Sequence, residues 1–485
     1  MIDAVVVGAG PNGLTAAVTL AMTGKQVAVY EANSRIGGGA RSSELTLPGF
    51  LHDVCSAIHP LGAGSPAFAA LPLERHGLRW LHPDVVLAHP LEGRAGGAVW
   101  RDVDRTTAAL GRDGSAWRRH VASFAADWQR LSPMILGPLL KVPAHPLVLA
   151  RFGARAAFPA KYFADIAFSG AQARALFTGS AAHASLPLQY PLTSSFALTL
   201  LGAAHSGGWP VAAGGSQAIS DALASLLREL GGTIETDHEI TSLEELPRSK
   251  AVLFDVGPRT IVTIAGDRLS PTLRRRMMRY RYGPGAFKID YALSGPVPWA
   301  DENCRSAGTV HVGGDAHEIA RAEWDVSRGR HPDRPFVLVA QQSLVDPSRA
   351  PAGSHTLWAY THVPNGSDVD VSASIEAQIE RFAPGFKDII LARHVTAPSA
   401  YEQYNPSFVG GNIAGGSNGG LQLAFRPVLG RPYRTTDPEL FMCSAATPPG
   451  GGVHGMCGYY SAQTALAGGL WNDRSTVRNE KRGIE

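Results

Sequence analysis

Short apolar runs separated by glycine and proline occur along most of the chain, a pattern typical of a mixed α/β protein. The run from Ala4 to Val7 is apolar at every position, which predicts a strand buried on both faces of a parallel sheet. Small and apolar residues at helical spacing follow from Leu14 to Met22, and Gln26 to Tyr30 predicts a second strand. This β-α-β order predicts a doubly wound parallel sheet at the start of the chain.

A glycine-rich loop connects the first predicted strand to the first predicted helix. Gly8, Gly10 and Gly13 have the spacing G-x-G-x-x-G. In a βαβ unit the first glycine allows a tight turn, the second lets a pyrophosphate approach the backbone, and the third lets the helix pack close to the strand. Glu31 ends the second strand, where a carboxylate accepts a hydrogen bond from a ribose hydroxyl. The pattern predicts a dinucleotide site and fits both FAD and NAD.

The residues after Glu31 favour FAD. Arg35, Gly37 and Gly38 match an R-x-G-G segment, and here the chain resembles the FAD-dependent oxidoreductases of the amine oxidase and phytoene desaturase superfamily. In that superfamily the segment wraps the diphosphate and ribityl chain of the flavin. The resemblance implies that Arg41 and Ser42 contact the phosphates, although Gly39 and Ala40 depart from the family pattern before Arg41.

The resemblance covers nearly the whole chain. Further matching blocks are Pro48–Asp53, Gly207–Pro210, Gly214–Gly215, Phe287–Leu293, Gly295–Trp299, Asp346–Gly353, Asn405–Asn412 and Pro448–Gly458. The branch that the chain resembles most is the phytoene desaturase-related one, which includes the pyridine nucleotide-disulfide oxidoreductase domain-containing proteins.

Two later segments are expected to complete the flavin site. A helix predicted over Ala218 to Leu230 leads into a strand ending near Glu239-Ile240, and the resemblance implies that the backbone of Ile240 touches the adenine. After a buried strand at Leu440 to Cys443, it implies that the glycine-rich loop starts a helix whose N-terminal amides face the isoalloxazine. A helix dipole there would stabilise negative charge on the reduced flavin.

The resemblance implies FAD bound without a covalent link. The residues expected to bind it are Gly8, Gly10, Pro11, Asn12, Gly13, Glu31, Ala32, Arg35, Gly38, Gly39, Arg41, Ser42, Ile240, Gly452, Val453 and His454. It also implies an α/β fold in which a Rossmann-like FAD-binding domain is interleaved with a substrate domain made of a mixed sheet and a helical cap. The FAD-binding domain is expected over residues 1–75, 205–265 and 420–485, and the substrate domain over 76–204 and 266–419.

His59 and His454 are the predicted catalytic residues, because each lies inside a flavin motif. Cys55 to His59 is expected to line the flavin face, where an imidazole with an ordinary pKa near ~6.5 could take a proton from substrate at neutral pH. The alternative is that both histidines only make structural hydrogen bonds.

The predicted reaction is the dehydrogenation, or desaturation, of a hydrophobic small molecule by hydride transfer to FAD. Two alternatives stay open: a redox-neutral flavin-dependent isomerase, and a non-enzymatic lipid- or prenyl-binding scaffold of the same fold. The intact glycine fingerprint, Glu31 and the Gly37-Gly38 pair argue against the scaffold, which has no need of a diphosphate site.

Composition excludes other classes. Apolar residues make up 45% of the 485-residue chain and charged residues 18%, so the chain is expected to fold into a packed core. A net charge of +3 is too nearly balanced for an electrostatic nucleic-acid binder. Four cysteines without a CxxC pair and 17 histidines without HExxH predict neither a disulfide framework nor a metal site.

The expected location is the cytoplasm, because no 18-residue apolar run or signal peptide is present. The stretch from Met134 to Leu149 is apolar but broken by prolines. It predicts buried core of the cap, with a surface that dips into a membrane to extract a lipophilic substrate as the alternative.

Overall fold

Two large β-sheets organise the chain in the computed structural model, which describes residues 2–138, 141–428 and 430–471. The strands are β1 (Ala4–Val7), β2 (Val27–Tyr30), β3 (Ser42–Glu44), β4 (Leu51–Asp53), β5 (Trp80–Leu81), β6 (Val85–Leu91), β7 (Arg94–Val99), β8 (Val211–Ala212), β9 (Thr233–Glu235), β10 (Ala251–Phe254), β11 (Gly285–Leu293), β12 (Ala307–Val312), β13 (Val337–Ala340), β14 (His355–Val363), β15 (Ile390–Thr396) and β16 (Leu440–Met442).

Helices pack on these sheets and form a cap beside them. The helices are α1 (Pro11–Ala21), α2 (Pro60–Ala63), α3 (Pro66–Ala69), α4 (Val103–Ala109), α5 (Gly114–Trp117), α6 (Ser123–Ala126), α7 (Trp128–Ile135), α8 (Pro146–Ala156), α9 (Ala160–Ala167), α10 (Ala171–Ala182), α11 (Thr193–Ser206), α12 (Gln217–Glu229), α13 (Pro258–Ala265), α14 (Pro271–Met278), α15 (Glu302–Arg305), α16 (Ala316–Ser327), α17 (Gln342–Val345), α18 (Ser372–Phe382), α19 (Pro398–Tyr404), α20 (Gln422–Phe425) and α21 (Met456–Ala467).

The first sheet is entirely parallel, with the strand order β16-β10-β1-β2-β9. The central strand β1 is buried at all four positions, as its unbroken apolar run predicts. Helix α1 is buried along its whole length and packs against α12 and α21. This is the doubly wound unit that the start of the chain predicts.

The second sheet has seven strands in the order β15-β11-β14-β13-β12-β6-β7 and is mixed. Its pairs are antiparallel except β12 with β6, which is parallel. The cap helices α4 to α11 form a second layer, and a shared apolar core joins them to one face of this sheet. The predicted fold class, a Rossmann-like α/β unit with a mixed-sheet and helical-cap unit, is confirmed.

The two sheets draw their strands alternately from along the chain. The parallel sheet takes its strands from residues 4–30, 233–254 and 440–442, and the mixed sheet takes its own from 85–99 and 285–396. These strands fall inside the ranges predicted for the two domains, whose exact boundaries stay a prediction. Across the described part of the chain, no helix is long and apolar enough to span a lipid bilayer.

The strand predicted to end near Ile240 is shorter than expected. β9 ends at Glu235, and Asp237 then takes a left-handed backbone conformation with φ of 55°. The backbone N–H of His238 donates to the carbonyl of Glu31 at 3.0 Å, so the chain turns across the end of β2 instead of continuing as a strand. The prediction was wrong because backbone groups that a longer strand would pair in the sheet are bonded in this turn instead.

Candidate active site

A cavity of about 720 Å³ lies between the two sheets, a volume within the usual range for small-molecule and cofactor sites. One end, here called the turn end, is lined by Gly8, Gly10, Pro11, Asn12, Glu31 and Gly38. The other, here called the apolar end, is lined by Phe152, Leu200, Leu338, Trp358, Tyr360 and their neighbours. The two ends belong to one continuous cavity.

The turn end is formed by close packing of backbone. Gly8 has φ of 100°, a left-handed conformation that favours glycine. A Cβ atom on Gly10 would lie 2.6 Å from Oδ2 of Asp255, and one on Gly13 would lie 2.1 Å from the carbonyl oxygen of Gly8. α1 begins directly after Gly10, so its positive N-terminal end faces this turn, where it favours a bound anion such as a diphosphate.

The carboxylate of Glu31 lies buried beside this turn. Its Oε2 accepts the Ala9 backbone N–H at 2.8 Å, and its Oε1 accepts the side-chain amide of Asn33 at 2.7 Å. Arg41 reaches the same Oε1 at 3.3 Å. Because a carboxylate offers about four lone-pair sites, Oε2 can still accept a hydroxyl from a ligand in the cavity.

Asp255 is a site residue that the sequence analysis missed. Its Oδ2 accepts the backbone N–H of Gly13 at 2.8 Å, and the residue lines the cavity. Burial, reinforced by the nearby Glu31 carboxylate, raises the pKa of Asp255 well above its usual range. The group therefore resists ionisation next to an anion site. Its signal in the sequence was an acid directly after the buried strand β10.

A second glycine-rich loop approaches the cavity from the C-terminal part of the chain. α21 begins at Met456, directly after Gly455, as predicted for the loop that ends the last buried strand. A Cβ atom on Gly458 would lie 1.8 Å from the carbonyl oxygen of Asn12, so α21 packs directly on α1. Gly452, Val453 and His454 all line the cavity.

The segment from Cys55 to His59 lines the middle of the cavity, and buried polar groups hold it there. The ammonium of Lys288 donates to the carbonyl oxygens of Asp53 at 2.9 Å and Val54 at 2.8 Å. The indole N–H of Trp358 donates to the carbonyl of Cys55 at 3.0 Å. These long-range contacts, which the sequence did not predict, fix the segment against the mixed sheet.

Asp53 and Arg349 form a buried ion pair at the base of the same segment. Both side chains are 1% exposed. Oδ1 of Asp53 also accepts the Ser42 hydroxyl and the Ser216 backbone N–H, each at 2.8 Å. The Arg349 guanidinium and these hydrogen bonds hold the pKa of Asp53 below its usual value, although burial acts in the opposite direction. Asp53 is therefore charged at neutral pH.

His59 and His454 both line the cavity and are buried. Nε2 of His59 bonds to the Ser216 hydroxyl at 2.8 Å, and Nδ1 of His454 accepts the Met456 backbone N–H at 3.1 Å. Burial lowers the pKa of each histidine to about 4, so both rings are neutral at pH 7. The catalytic role predicted for them stays a prediction.

Most of the residues expected to bind FAD lie together at the cavity. The lining includes Gly8, Gly10, Pro11, Asn12, Glu31, Ala32, Gly38, Gly39, Arg41, Ile240, Gly452, Val453 and His454. Three others are not part of the lining: Gly13 packs beneath the turn, Ser42 bonds to Asp53, and the Arg35 side chain is exposed to solvent. Their contact with a cofactor stays a prediction.

Several buried polar atoms around the cavity fit a site that holds a polar cofactor. Oδ1 of Asn12, Nε of Arg41, Nδ1 of His59 and Nε2 of His454 are buried and have no hydrogen-bond partner among the described residues. Buried polar groups normally have partners, and all four residues line the cavity. Within residues 2–138, 141–428 and 430–471, no three His, Cys, Asp or Glu side chains cluster so that they could hold a metal ion.

The apolar end depends on the alternation of strand β14. Trp358, Tyr360 and His362 line the cavity, whereas Leu357 and Ala359 pack into the core on the opposite face. Successive residues of a strand point to opposite faces, so the pattern W-x-Y-x-H along β14 puts three rings on one wall. No role was predicted for these residues from the sequence, although their alternation was the available signal.

Comparison with known proteins supports this picture. Residues 6–71 match the family profile of the NAD(P)-binding Rossmann-like domain. The chain is 24% identical to pyridine nucleotide-disulfide oxidoreductase domain-containing protein 2 of Rattus norvegicus, over 95% of this chain and 92% of the relative. It is 27% identical to the neurosporene-forming phytoene desaturase of Rhodobacter capsulatus, over 51% of each chain.

A solved structure of putrescine oxidase bound to putrescine has the same fold. It matches with a TM-score of 0.59 and 17% identity, covering 96% of this chain and 99% of that one. These findings confirm the predicted class, an oxidoreductase with the fold of the FAD-dependent amine oxidase and phytoene desaturase superfamily. Within that class, the chain resembles the pyridine nucleotide-disulfide oxidoreductase domain-containing proteins along nearly its whole length.

Proposed function

We propose that the protein is an FAD-dependent oxidoreductase that dehydrogenates a hydrophobic small molecule. The observation that carries the proposal is the continuous cavity, which joins a dinucleotide-type glycine turn to a wall of apolar and aromatic side chains. A cofactor at one end and an apolar substrate at the other would meet near the segment from Cys55 to His59.

The chain's own groups would hold FAD at the turn end. The N-terminus of α1 and Asn12 would face the diphosphate, and Oε2 of Glu31 would accept a ribose hydroxyl. Bound FAD would supply the two-electron oxidation, as an acceptor of hydride. Val453 and His454, at the start of α21, would face the other half of the cofactor.

The cysteines near the cavity support non-covalent binding. Burial raises the pKa of the Cys55 thiol to about 12 and that of Cys457 to about 11. Both thiols are therefore protonated at neutral pH, whereas covalent attachment to a flavin needs a reactive thiolate.

His59 is the residue proposed to act nearest the reacting carbon. Its neutral ring could accept a proton, but a pKa of about 4 makes it a weak base at pH 7. His59→Gln keeps a hydrogen bond to Ser216 and removes the base. If His59 accepts the proton, FAD content stays normal while flavin reduction by substrate slows about 10²-fold or more. Equal reduction rates in both proteins would assign His59 an orienting role.

The experiment that tests the proposed function is anaerobic reduction of the purified protein by a panel of hydrophobic amines, alcohols and polyenes. Bleaching of the flavin absorbance near 450 nm (roughly the usual flavin maximum) by a member of the panel supports dehydrogenation. Product formed without any flavin bleaching would support the redox-neutral isomerase instead. A protein that binds apolar ligands but takes up no FAD would support the scaffold.

We further propose peripheral contact with lipid, supported by exposed apolar side chains on the cap. Val142, Leu147 and Ile166 are 90%, 85% and 80% exposed. Val142 precedes α8, Leu147 lies on α8 and Ile166 lies on α9, and Leu149 and Phe152 of α8 line the apolar end of the cavity. Leu139 and Leu140, part of the apolar stretch noted in the sequence, lie outside the described residues. Co-sedimentation with liposomes that is lost in Leu147→Asp/Ile166→Asp would support the contact, and unchanged sedimentation would contradict it.

A further inference from the structure

Three polar side chains from separate parts of the chain form a connected array at the apolar end. Nδ1 of His362 lies 2.9 and 3.0 Å from the two carboxylate oxygens of Glu323. Nε2 of the same ring lies 3.0 Å from the hydroxyl of Ser185. A carboxylate only accepts hydrogen bonds, so Nδ1 carries a proton, and Nε2 is the ring nitrogen that meets the Ser185 hydroxyl.

The array faces the cavity, and its histidine and carboxylate are buried. Ser185 and His362 line the cavity, and Glu323 lies behind them on α16. The side chains of His362 and Glu323 are 5% and 2% exposed. The carboxylate fixes the tautomer of the ring and stabilises the imidazolium that forms when the ring takes a proton.

The backbone of Ser185 is held in an uncommon conformation. Its φ is 51°, in the left-handed region that side-chain-bearing residues rarely adopt, just beyond the end of α10. Its N–H donates to the carbonyl of Ala182 at 2.9 Å, which holds the turn in place. Such strain often accompanies residues whose side chains must project in a fixed direction at a functional site.

A polarised amide lies beside the serine. Nδ2 of Asn418 donates to the carbonyl of Ala184 at 3.1 Å, and its Oδ1 accepts the guanidinium of Arg426 at 2.6 Å. Asn418 and Arg426 are both buried, and Asn418 lines the cavity. An amide nitrogen carries two hydrogens, so the second remains to donate to an oxygen near Ser185, made more acidic by the arginine.

We propose that Ser185 is an activated nucleophile and that this end of the cavity is a second reaction centre, for an ester, thioester or lactone carbonyl on a hydrophobic molecule. His362 is its base, Glu323 is the positioning residue, and Asn418 donates to the developing oxyanion. This centre is separate from the proposed flavin chemistry, since its reaction transfers no electrons.

The proposed reaction needs only the side chains of the array and one water molecule. The Oγ–C bond forms as the serine proton passes to Nε2 of His362. The bond from the carbonyl carbon to its leaving oxygen or sulfur then breaks, and that atom takes the proton. A water molecule next hydrolyses the Ser185 ester and returns the hydroxyl, with His362 again carrying the proton.

Diisopropyl fluorophosphate tests the proposal without knowledge of the substrate. The probe reacts with an activated serine by forming an Oγ–P bond and releasing fluoride, while the proton passes to the base. The FAD-loaded protein is treated with the probe, digested, and the modified peptide identified by mass spectrometry. We expect one phosphorylated residue, Ser185, and no label in Ser185→Ala.

Matched variants separate activation from mere exposure of a serine. Ser195 lines the same cavity, but its hydroxyl donates to the Leu192 carbonyl at 2.6 Å, so Ser195→Ala should leave the labelling rate unchanged. His362→Gln should slow labelling about 10²-fold or more, and Asn418→Leu should slow it by a comparable factor. Glu323→Gln should also slow it, with part of the rate rescued by Glu323→Asp.

FAD content and the thermal midpoint of each variant show whether the protein is still folded. An unlabelled Ser185 in the folded protein, or equal labelling of wild type and a folded His362→Gln variant, would overturn the proposal. Neither result would bear on the flavin, whose binding is measured separately in the same samples.

Discussion

The two ends of the cavity are built from different chemical material. At the turn end, backbone atoms do most of the work: glycines pack against Asp255 at distances that exclude any side chain, and helix α1 begins there. At the apolar end, the walls are mostly apolar and aromatic side chains of β14, α8 and α11, and the Ser185–His362 pair lies among them. The turn end, formed by backbone, suits a part of the ligand that does not vary. The apolar end, formed by side chains, can vary with the substrate.

This difference indicates where a substitution can change function in this fold. In a Rossmann-type βαβ unit the glycine turn itself holds the diphosphate, so that end tolerates little substitution. The apolar end can change size or polarity by single substitutions without disturbing the turn. The segment from Asp53 to His59 lies between the turn end and the apolar end. The buried ion pair of Asp53 with Arg349 therefore supports both ends.

The largest effect expected of a single substitution concerns the Asp53–Arg349 ion pair. Arg349→Met leaves the buried Asp53 carboxylate without its countercharge, which should cost about 3–5 kcal/mol of unfolding free energy. Urea denaturation of the FAD-loaded protein measures it. Arg330→Met, which breaks an exposed pair with Asp325, is the matched control and should cost about 0–1 kcal/mol. Equal costs would show that the buried Asp53–Arg349 pair contributes no more to stability than an exposed ion pair.

The next effect separates the two ends directly. Gly10→Val places a Cβ within 2.6 Å of Oδ2 of Asp255, so the turn must open. We expect FAD affinity to fall at least about 100-fold, or ~2.7 kcal/mol. Gly153→Ala adds a methyl to α8 at the apolar end with no atom within 4 Å, and its FAD affinity should equal that of wild type. Fluorescence titration of the apoprotein measures both, and a similar loss in the two variants would break the comparison.

Acid should destabilise the protein through its buried histidines. Burial lowers the pKa of His59, His89, His205 and His454 to about 4 and that of His183 to about 3. The unfolded chain, with histidine pKa near 6.5, therefore binds more protons in this range. Their stabilising contribution is complete above pH 6.5 and is lost as the pH falls toward 4.

Each of these histidines contributes a slope of up to about 1.4 kcal/mol per pH unit in that window. Asp290 opposes them, because burial raises its pKa to about 6. Thermal midpoints measured from pH 7.5 to 4.5 should fall steadily below pH 6.5. A constant midpoint across the window would show that the histidines are not buried as described.

The smallest expected effect is the loss of Glu31. Glu31→Ala leaves a ribose hydroxyl and the Ala9 N–H unpaired, at ~1–3 kcal/mol, so FAD should bind about tenfold more weakly or worse. Glu235→Ala, at the exposed end of β9, is the control for simple loss of charge. The fold should persist in both variants. Unchanged FAD retention by Glu31→Ala after gel filtration would show that the ribose is held elsewhere.

The sequence predicted the turn end well because its residues are neighbours along the chain. The strand, the glycine loop, α1 and Glu31 all lie within the first 31 residues, and the structure has each of them. Asp255 was missed because its contact with Gly13 spans 242 residues. An acid directly after a buried strand does not show which distant residue it contacts.

The apolar end could not be predicted in the same way. Ser185, His362 and Asn418 come from a helix end, a strand of the mixed sheet and a later loop, and only the folded chain brings them together. The histidines have no metal-type spacing, so no pattern in the sequence singled out His362. The end of β9 was misplaced for a similar reason, since a turn near Asp237 depends on contacts with the end of β2.

The measurement that tests the proposed non-covalent FAD binding most directly is the cofactor content of the purified protein. The protein is unfolded in guanidine, the polypeptide is removed by filtration, and the filtrate is analysed by chromatography against FAD, FMN and NAD. We predict close to one FAD per chain in the filtrate and none attached to the polypeptide. A colourless protein that takes up no FAD on incubation would contradict the proposal that the cavity binds FAD.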